Sequence, residues 1–286
     1  MTAVRVPAST ANLGPAFDAL GMALTLHAEL GLADDTDVAE RPPRAHVVEE
    51  THPAAVAFGA GGGRGRLWVR SPIPMGRGLG YSGAMRIGGL VLAAVQAAGP
   101  QDWKAGRPEL LGLAADLEGH PDNVAASLYG GVVAVAADRA VRVPLALAPA
   151  VVVWVPAMTT STERSRTALT GTVGFEAAVF NVGRTALLVA ALAAGDVGAL
   201  ARATEDRLHQ DGRFAATVPS RRALADGLEA GAWCGWLSGS GPAVAMLCDP
   251  ADATAIAAAL PGEGSVKQLG IDLDGVQVVG SRRGTR

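Results

Sequence analysis

Glu118, His120, Asp122 and Asn123 fall within six consecutive positions, in the run Glu118-Gly-His-Pro-Asp-Asn123. Helix capping needs fewer polar groups than this. Two carboxylates, an imidazole and an amide at that density suit a hard divalent cation or proton transfer, so the run is a candidate metal and acid/base locus. Taken alone, His120 reads as readily as a packing or capping residue, and Pro121 as the first residue of a helix. A second stretch lies upstream. Within residues 72–84, Gly76, Gly78, Gly80 and Gly83 occupy eight positions, and Met85, Ile87, Leu90, Val91, Leu92 and Val95 follow at helical spacing. A glycine loop feeding a helix offers N–H groups and the positive end of the helix dipole, so this stretch is read as a phosphate site.

Two other readings of the loop stand beside that one. Gly78, Gly80 and Gly83 match the spacing of the dinucleotide-binding fingerprint, with Asp102 about twenty residues further on. That fingerprint follows a buried parallel strand, and Pro72 and Pro74 occupy the place where the strand would run. The plainest alternative is a surface loop with a helix behind it.

The elements that must position these groups follow from pattern. Ala3–Pro7 and Ala19–Leu32 read as strands, separated by a polar turn carrying Asn12 and Asp18. Residues 33–66 are acidic, then rich in Pro and Gly, and read as an exposed excursion with a short helix near Ala54–Ala57. Leu67–Val69 reads as a strand leading to the loop, and Leu110–Leu117 as a helix ending at the acidic cluster. Pro144 and Pro149 suggest a division into residues 1–145 and 146–286. In the second part, Val151–Val155 reads as a strand, and Ser161 or Thr162 as the cap of a helix carrying Arg164 and Arg166. Phe175–Ala194, Val197–Gln210 and Arg221–Ala230 read as helices. Residues 233–237 and Ala243–Cys248 read as strands around the glycine turn Ser238-Gly-Ser-Gly-Pro242. Asp252–Leu260 reads as a helix and Val276–Val279 as a last strand. Strands alternating with helices in this way predict an α+β architecture in two domains.

Composition narrows the partners. The 286 residues carry 24 basic and 27 acidic side chains, for a formal net charge of −3, which argues against a nucleic-acid surface. Cys234 and Cys248 are too far apart for a metal ribbon or redox pair and sit in apolar surroundings, as expected of buried thiols in a reducing compartment. The N-terminus lacks an apolar signal core, and uncharged apolar stretches such as Val124–Ala137 are shorter than the ~20 residues of a membrane helix. A cytoplasmic protein without membrane contact is expected.

Taken in order, the motifs resemble the GHMP small-molecule kinases and, among them, the homoserine kinases. Ala11-Asn-Leu-Gly14 with Phe17, Asp18 and Gly21 resembles the opening motif, and Pro74 with Gly76-Arg-Gly-Leu-Gly80 resembles the phosphate loop. Glu118–Val124 resembles the central motif and is the most specific. Ser161-Thr162 with Arg166, Leu208-His209 with Arg213, and Ser238–Pro242 resemble later ones. The resemblance implies an N-terminal domain like the second domain of ribosomal protein S5 and a ferredoxin-like C-terminal domain. It implies ATP and Mg²⁺ as cofactors, L-homoserine as substrate and a homodimer. The phosphates would lie on Pro74, Gly76, Arg77, Gly78, Leu79, Gly80, Tyr81, Ser82, Gly83 and Ala84, and Mg²⁺ on Ser82 and Glu118. Asp18 would pair with the substrate ammonium, and Arg166 and Arg213 with its carboxylate. Asn12, His120, Asn123, Thr162 and Gly239 would complete the substrate site. Asp122 is a candidate general base, with direct transfer of the hydroxyl proton to the phosphoryl group as the competing route.

The chain departs from the family pattern at the loop. Tyr81 and Gly83 stand where a serine and an alanine are usual, and Ala16 replaces a usual glycine. These positions leave open a kinase of this fold for another small hydroxylated metabolite, or a catalytically silent binding protein in which Tyr81 blocks the nucleotide.

Overall fold

The computed structural model describes residues 2–34, 41–137, 139–159 and 171–280. Thr162 and Arg166, with the helix expected to carry them, lie outside the described residues. Two antiparallel sheets organise the chain. The first is built on β1 (Thr2–Ala11) and β2 (Leu20–Leu32), which pair along most of their length. Their register shifts at Pro7/Ala8, where proline has no N–H to donate. On its other side β2 pairs with two strands, β4 (Leu67–Arg70) near its end and β5 (Val132–Ala136) near its start. Short β3 (His46–Val47) and β6 (Arg139–Val143) extend β4 and β5. The second sheet has the order β10 (Gly264–Leu269), β7 (Ala150–Pro156), β9 (Val244–Cys248), β8 (Cys234–Leu237).

Helices cover one face of the first sheet. They are α1 (Pro53–Ala60), α2 (Tyr81–Ala98), α3 (Arg107–Glu118) and α4 (Asp122–Tyr129). Met85, Ile87, Leu90, Val91 and Leu92 of α2 are buried in one core with Val4, Val6, Leu24 and Leu30 of the strands, so the apolar stripe seen in the sequence is the face that packs down. The second part contains α5 (Phe175–Ala194), α6 (Val197–Ala203), α7 (Gln210–Ala216), α8 (Val218–Glu229) and α9 (Ala253–Ala259). The order strand, helices, strand, strand, helix, strand in an antiparallel sheet is the ferredoxin-like arrangement expected. Helices α8 and α9 pack on this sheet around Trp154, Met246 and Ile256.

The structure departs from the sequence reading at several points, among them the strands β5, β6 and β10, for which the sequence reading has no strand. Val197–Gln210 is not one helix, because α6 stops at Ala203 and α7 begins at Gln210. Asp206 breaks the run: its Oδ1 accepts from Leu208 N (3.0 Å), and its Oδ2 from His209 N (2.9 Å) and Gln210 N (2.7 Å). Those N–H groups are then unavailable to a continuous helix. The last strand among the described residues, β11 (Gln277–Gly280), pairs with β1, so a segment beyond the division expected at 145/146 belongs to the first sheet. Helix α5 has the bounds read from the sequence and, at 20 residues, is by length and composition apolar enough to cross a bilayer, although it carries Glu176 and Arg184.

Candidate active site

One cleft of about 290 Å³ lies where the loop before α2, the turn between α3 and α4, the segment after β1 and the β8–β9 turn meet. Each wall is set by local chemistry. The phosphate-loop stretch ends at Gly80, which occupies the N-cap of α2 with φ 65° and supplies no side-chain cap. The first N–H groups of α2 therefore lack both an intrahelical acceptor and a capping side chain, which is the arrangement of a helix-terminal anion site. A Cβ at Gly80 would stand 2.0 Å from Ser9 Oγ and 2.9 Å from Asn123 Oδ1, so the backbone approach itself requires glycine. At Gly83 a Cβ would meet Asn123 Cβ and Val124 Cγ1 at 3.3 Å, a close fit that a small shift of those neighbours would relieve.

Tyr81 is the first residue of α2 and half-buried at the cleft. Its hydroxyl lies 3.0 Å from His52 Nε2, and the two rings meet edge to face. His52 is fixed in turn as the N-cap of α1, its Nδ1 accepting from Ala54 N. Burial lowers the pKa of His52 and raises that of Tyr81, so a neutral imidazole meets a neutral phenol. The hydroxyl is thereby turned toward α1, and the Tyr81 backbone stays at the head of the helix.

Ser82 and Glu118 come together across 36 positions, with Ser82 Oγ donating to Glu118 Oε2 at 2.7 Å. Both residues line the cleft and both offer hard oxygen donors, so the pair fits a magnesium ion by donor chemistry. Arg86, one turn beyond Ser82, also donates through Nε to Glu118 Oε2.

The turn between α3 and α4 carries a dense network. His120 Nδ1 lies 2.7 Å from Asp122 Oδ1, the same oxygen that accepts from Asn123 N (2.7 Å) and Asn123 Nδ2 (3.3 Å). A carboxylate accepts only, so His120 carries its proton on Nδ1. Asn123 Oδ1 accepts from Ser9 Oγ at 2.8 Å, which ties α4 to β1. Asp122 opens α4, where a carboxylate also suits the helix dipole. Ligand atoms of Asp18, His120 and Asp122 lie within 4.8 Å of one another, a concentration of negative charge suited to a cation.

On the opposite wall, Asn12 holds three segments together. Its Oδ1 accepts from Asp18 N (3.0 Å) and its Nδ2 donates to Gly239 O (3.1 Å). Asn12, Leu13 and Asp18 all have positive φ, at 70°, 45° and 56°. Non-glycine residues held in that region store strain, and such strain clusters at binding sites. Arg213 of α7 is buried, its Nη1 donating to Gly239 O and to His209 Nδ1, with its guanidinium over the Phe17 ring. His209 Nε2 donates to Gly14 O at 2.8 Å, which leaves Nδ1 as the acceptor that Arg213 needs. Burial lowers the His209 pKa and keeps the ring neutral.

The cleft thus gathers Asn12, Asp18, Pro74, the residues from Gly76 through Ser82, Glu118, His120, Asp122, Asn123, Arg213 and Gly239. Gly83 and Ala84 sit one step inside α2, buried below the loop. The Arg77 side chain turns to the second sheet and donates to Pro156 O (3.0 Å) and Ala157 O (2.7 Å). Sequence reasoning passed over Ser9, His52, Arg86, Asn181 and Asp206. Asn181 of α5 donates to Pro15 O and Asp206 Oδ1, joining the strained turn to the Asp206 cap. Its sequence sign is slight, an amide in a mostly apolar helix.

Known proteins resemble the chain in both sequence and fold. Residues 44–131 match the family model described as GHMP kinases N terminal domain, and residues 188–266 match GHMP kinases C terminal. The chain is 39% identical to a homoserine kinase of Moorella thermoacetica, over 94% of this chain and 97% of that one. It is 41% identical to a homoserine kinase of Streptomyces avermitilis, over 96% and 95%. A crystal structure of homoserine kinase from Cytophaga hutchinsonii shares the fold with a TM-score of 0.81 at 24% identity, covering 97% of each chain. A mevalonate kinase crystal structure shares it more loosely, with a TM-score of 0.65 at 11% identity, covering 95% of this chain and 99% of that one. With both family models matched and relatives this similar along nearly its whole length, the chain belongs to the GHMP kinase family, among its homoserine kinases.

Proposed function

We propose that this enzyme transfers the γ-phosphoryl group of ATP to the side-chain hydroxyl of L-homoserine, forming O-phospho-L-homoserine and ADP. The observation that carries the reading is one cleft in which an uncapped helix N-terminus faces a cation-binding cluster and a buried arginine. An amino acid phosphorylated on a side-chain hydroxyl needs all three: a phosphate cradle, a partner for its ammonium and a partner for its carboxylate.

The N–H groups at the head of α2 take the β and γ phosphates. Asp18, beside Asp122 and His120, pairs with the ammonium, and Arg213 with Arg166 takes the carboxylate. Asn12, Asn123, His120, Thr162 and Gly239 orient the substrate. Ser82 and Glu118 would hold Mg²⁺, which neutralises charge on the phosphates when bound. The substrate hydroxyl attacks the γ phosphorus, forming an O–P bond. The bond from the γ phosphorus to the β,γ-bridging oxygen breaks and its electrons leave with ADP. We take the hydroxyl proton to pass to a γ-phosphoryl oxygen; Asp122 Oδ1 is engaged by three donors, which leaves Oδ2 as the competing acceptor that the Asp122→Asn test addresses. Asp122 then acts by orienting His120 and Asn123. Two buried free thiols accord with a cytoplasmic setting, and burial pushes the Cys234 thiol up to about 12.

Steady-state ADP release with MgATP tests the reading against L-homoserine, L-threonine, L-serine, mevalonate and shikimate. Turnover specific to L-homoserine is expected. Preference for another alcohol would reassign the substrate, and ATP binding without turnover on any of them would favour a silent binding protein.

A further inference from the structure

Glu118 already has a cation. Arg86 and Ser82 are four residues apart on α2 and so share a face, and both donate to the same oxygen, Glu118 Oε2. The pair is not a solvated surface bridge: the Arg86 side chain is 19% exposed and that of Glu118 11%. The other carboxylate oxygen, Oε1, stands 4.0 Å from His120 Nε2. A divalent ion seated on Ser82 and Glu118 would compete with Arg86 for Oε2, where both Ser82 and Arg86 already donate, and would bring two further positive charges beside a guanidinium.

Building on the assignment of Ser82 and Glu118 to the metal, we propose that Arg86 is a resident counter-cation that closes the metal site in the nucleotide-free enzyme. Divalent ions alone are excluded because Arg86 neutralises Glu118 in a partly desolvated pocket, where displacing a guanidinium leaves it without its carboxylate. The metal enters together with the nucleotide, whose phosphates supply new negative charge for both cations. Arg86 thereby sets the order of binding. Glu118 stands out in the sequence, but its pairing with Arg86 does not, because 32 positions separate them.

The test is direct binding of Mn²⁺ without nucleotide, read by the loss of the free-ion electron paramagnetic resonance signal, with circular dichroism as the check on folding. Arg86→Gln should bind Mn²⁺ at least tenfold more tightly than the unaltered enzyme. Arg86→Lys, which keeps the charge, should stay close to the unaltered enzyme. Glu118→Gln placed on Arg86→Gln should abolish the gain. Equal or weaker binding by Arg86→Gln overturns the proposal. So does a gain that survives Glu118→Gln, which would put the ion elsewhere, for instance on Asp18, His120 and Asp122. Arg86→Met, run in parallel, preserves the test if the glutamine variant does not fold. Since the assay involves no turnover, a failure of the homoserine assignment would leave this result unaffected and would be recognised separately.

Discussion

Asp122→Asn separates the two mechanisms that the sequence leaves open. Asparagine keeps the shape and an acceptor oxygen for His120 Nδ1 and Asn123 N, both 2.7 Å from Asp122 Oδ1. It removes the charge. Hydrogen bonds to an ionised acceptor contribute roughly 1.5–3 kcal/mol and neutral ones about 0.5–1.5. Each of the two short bonds therefore weakens by about 1 kcal/mol, and the Asn123 Nδ2 contact at 3.3 Å adds little. A total near 2 kcal/mol corresponds to roughly a 30-fold fall if all of it is expressed in the transition state. The prediction is a kcat reduced about 10- to 100-fold, with the acid limb of its pH profile retained, measured by coupled ADP release at saturating MgATP and L-homoserine. General bases contribute up to about 10⁴-fold. A loss beyond about 10³-fold, with disappearance of the acid limb, would refute the orienting role and make Asp122 the base.

Three further predictions rest on other walls of the cleft. Gly80→Ala should raise the KM for ATP at least about tenfold or unfold the loop region, since the αL backbone alone costs an alanine roughly 1–2 kcal/mol and its Cβ would overlap Ser9 Oγ; kinetics and a thermal melt together read this out. Tyr81→Phe should leave the KM for ATP within about threefold and cost about 1 kcal/mol in a denaturant melt, because the hydroxyl bonds His52 and, in the proposed arrangement, the phosphates meet only the backbone. A large gain in ATP affinity would show instead that the phenol obstructs the site. His209 and His52 have pKa values lowered by burial, so as pH falls through about 6.5 the unfolded chain binds protons that the fold excludes. Stability should therefore be full above neutrality and decline as pH drops from about 7 toward 5. A melting temperature unchanged over that window would contradict the neutral assignment of both rings.

What the sequence disclosed was whatever chemistry is local. The glycine loop and the stripe from Met85 to Val95 sit side by side in the chain, and so do Glu118, His120, Asp122 and Asn123. Their proximity in the fold follows from one loop–helix unit and one turn. Partnerships across long separations left no such sign. The pairing of β11 with β1 joins the two ends of the chain, and no local pattern in Gln277–Gly280 names its partner strand. Arg86 reads as one basic residue on a helix until Glu118 appears beside it. The break at Asp206 is a competition between side-chain and backbone acceptors, which apolar spacing over Val197–Gln210 does not register. Tyr81, the departure that put nucleotide binding in question, is accounted for by a histidine in what reads as an exposed excursion.

The central claim is that this cleft moves a phosphoryl group onto the side chain of homoserine. It is tested most directly by ³¹P and ¹H NMR of the product formed from MgATP and L-homoserine. The account predicts stoichiometric ADP and a phosphate ester on the side-chain oxygen, with coupling from phosphorus to the adjacent methylene protons. Inorganic phosphate with unmodified homoserine, or no consumption of ATP by correctly folded enzyme, would contradict it.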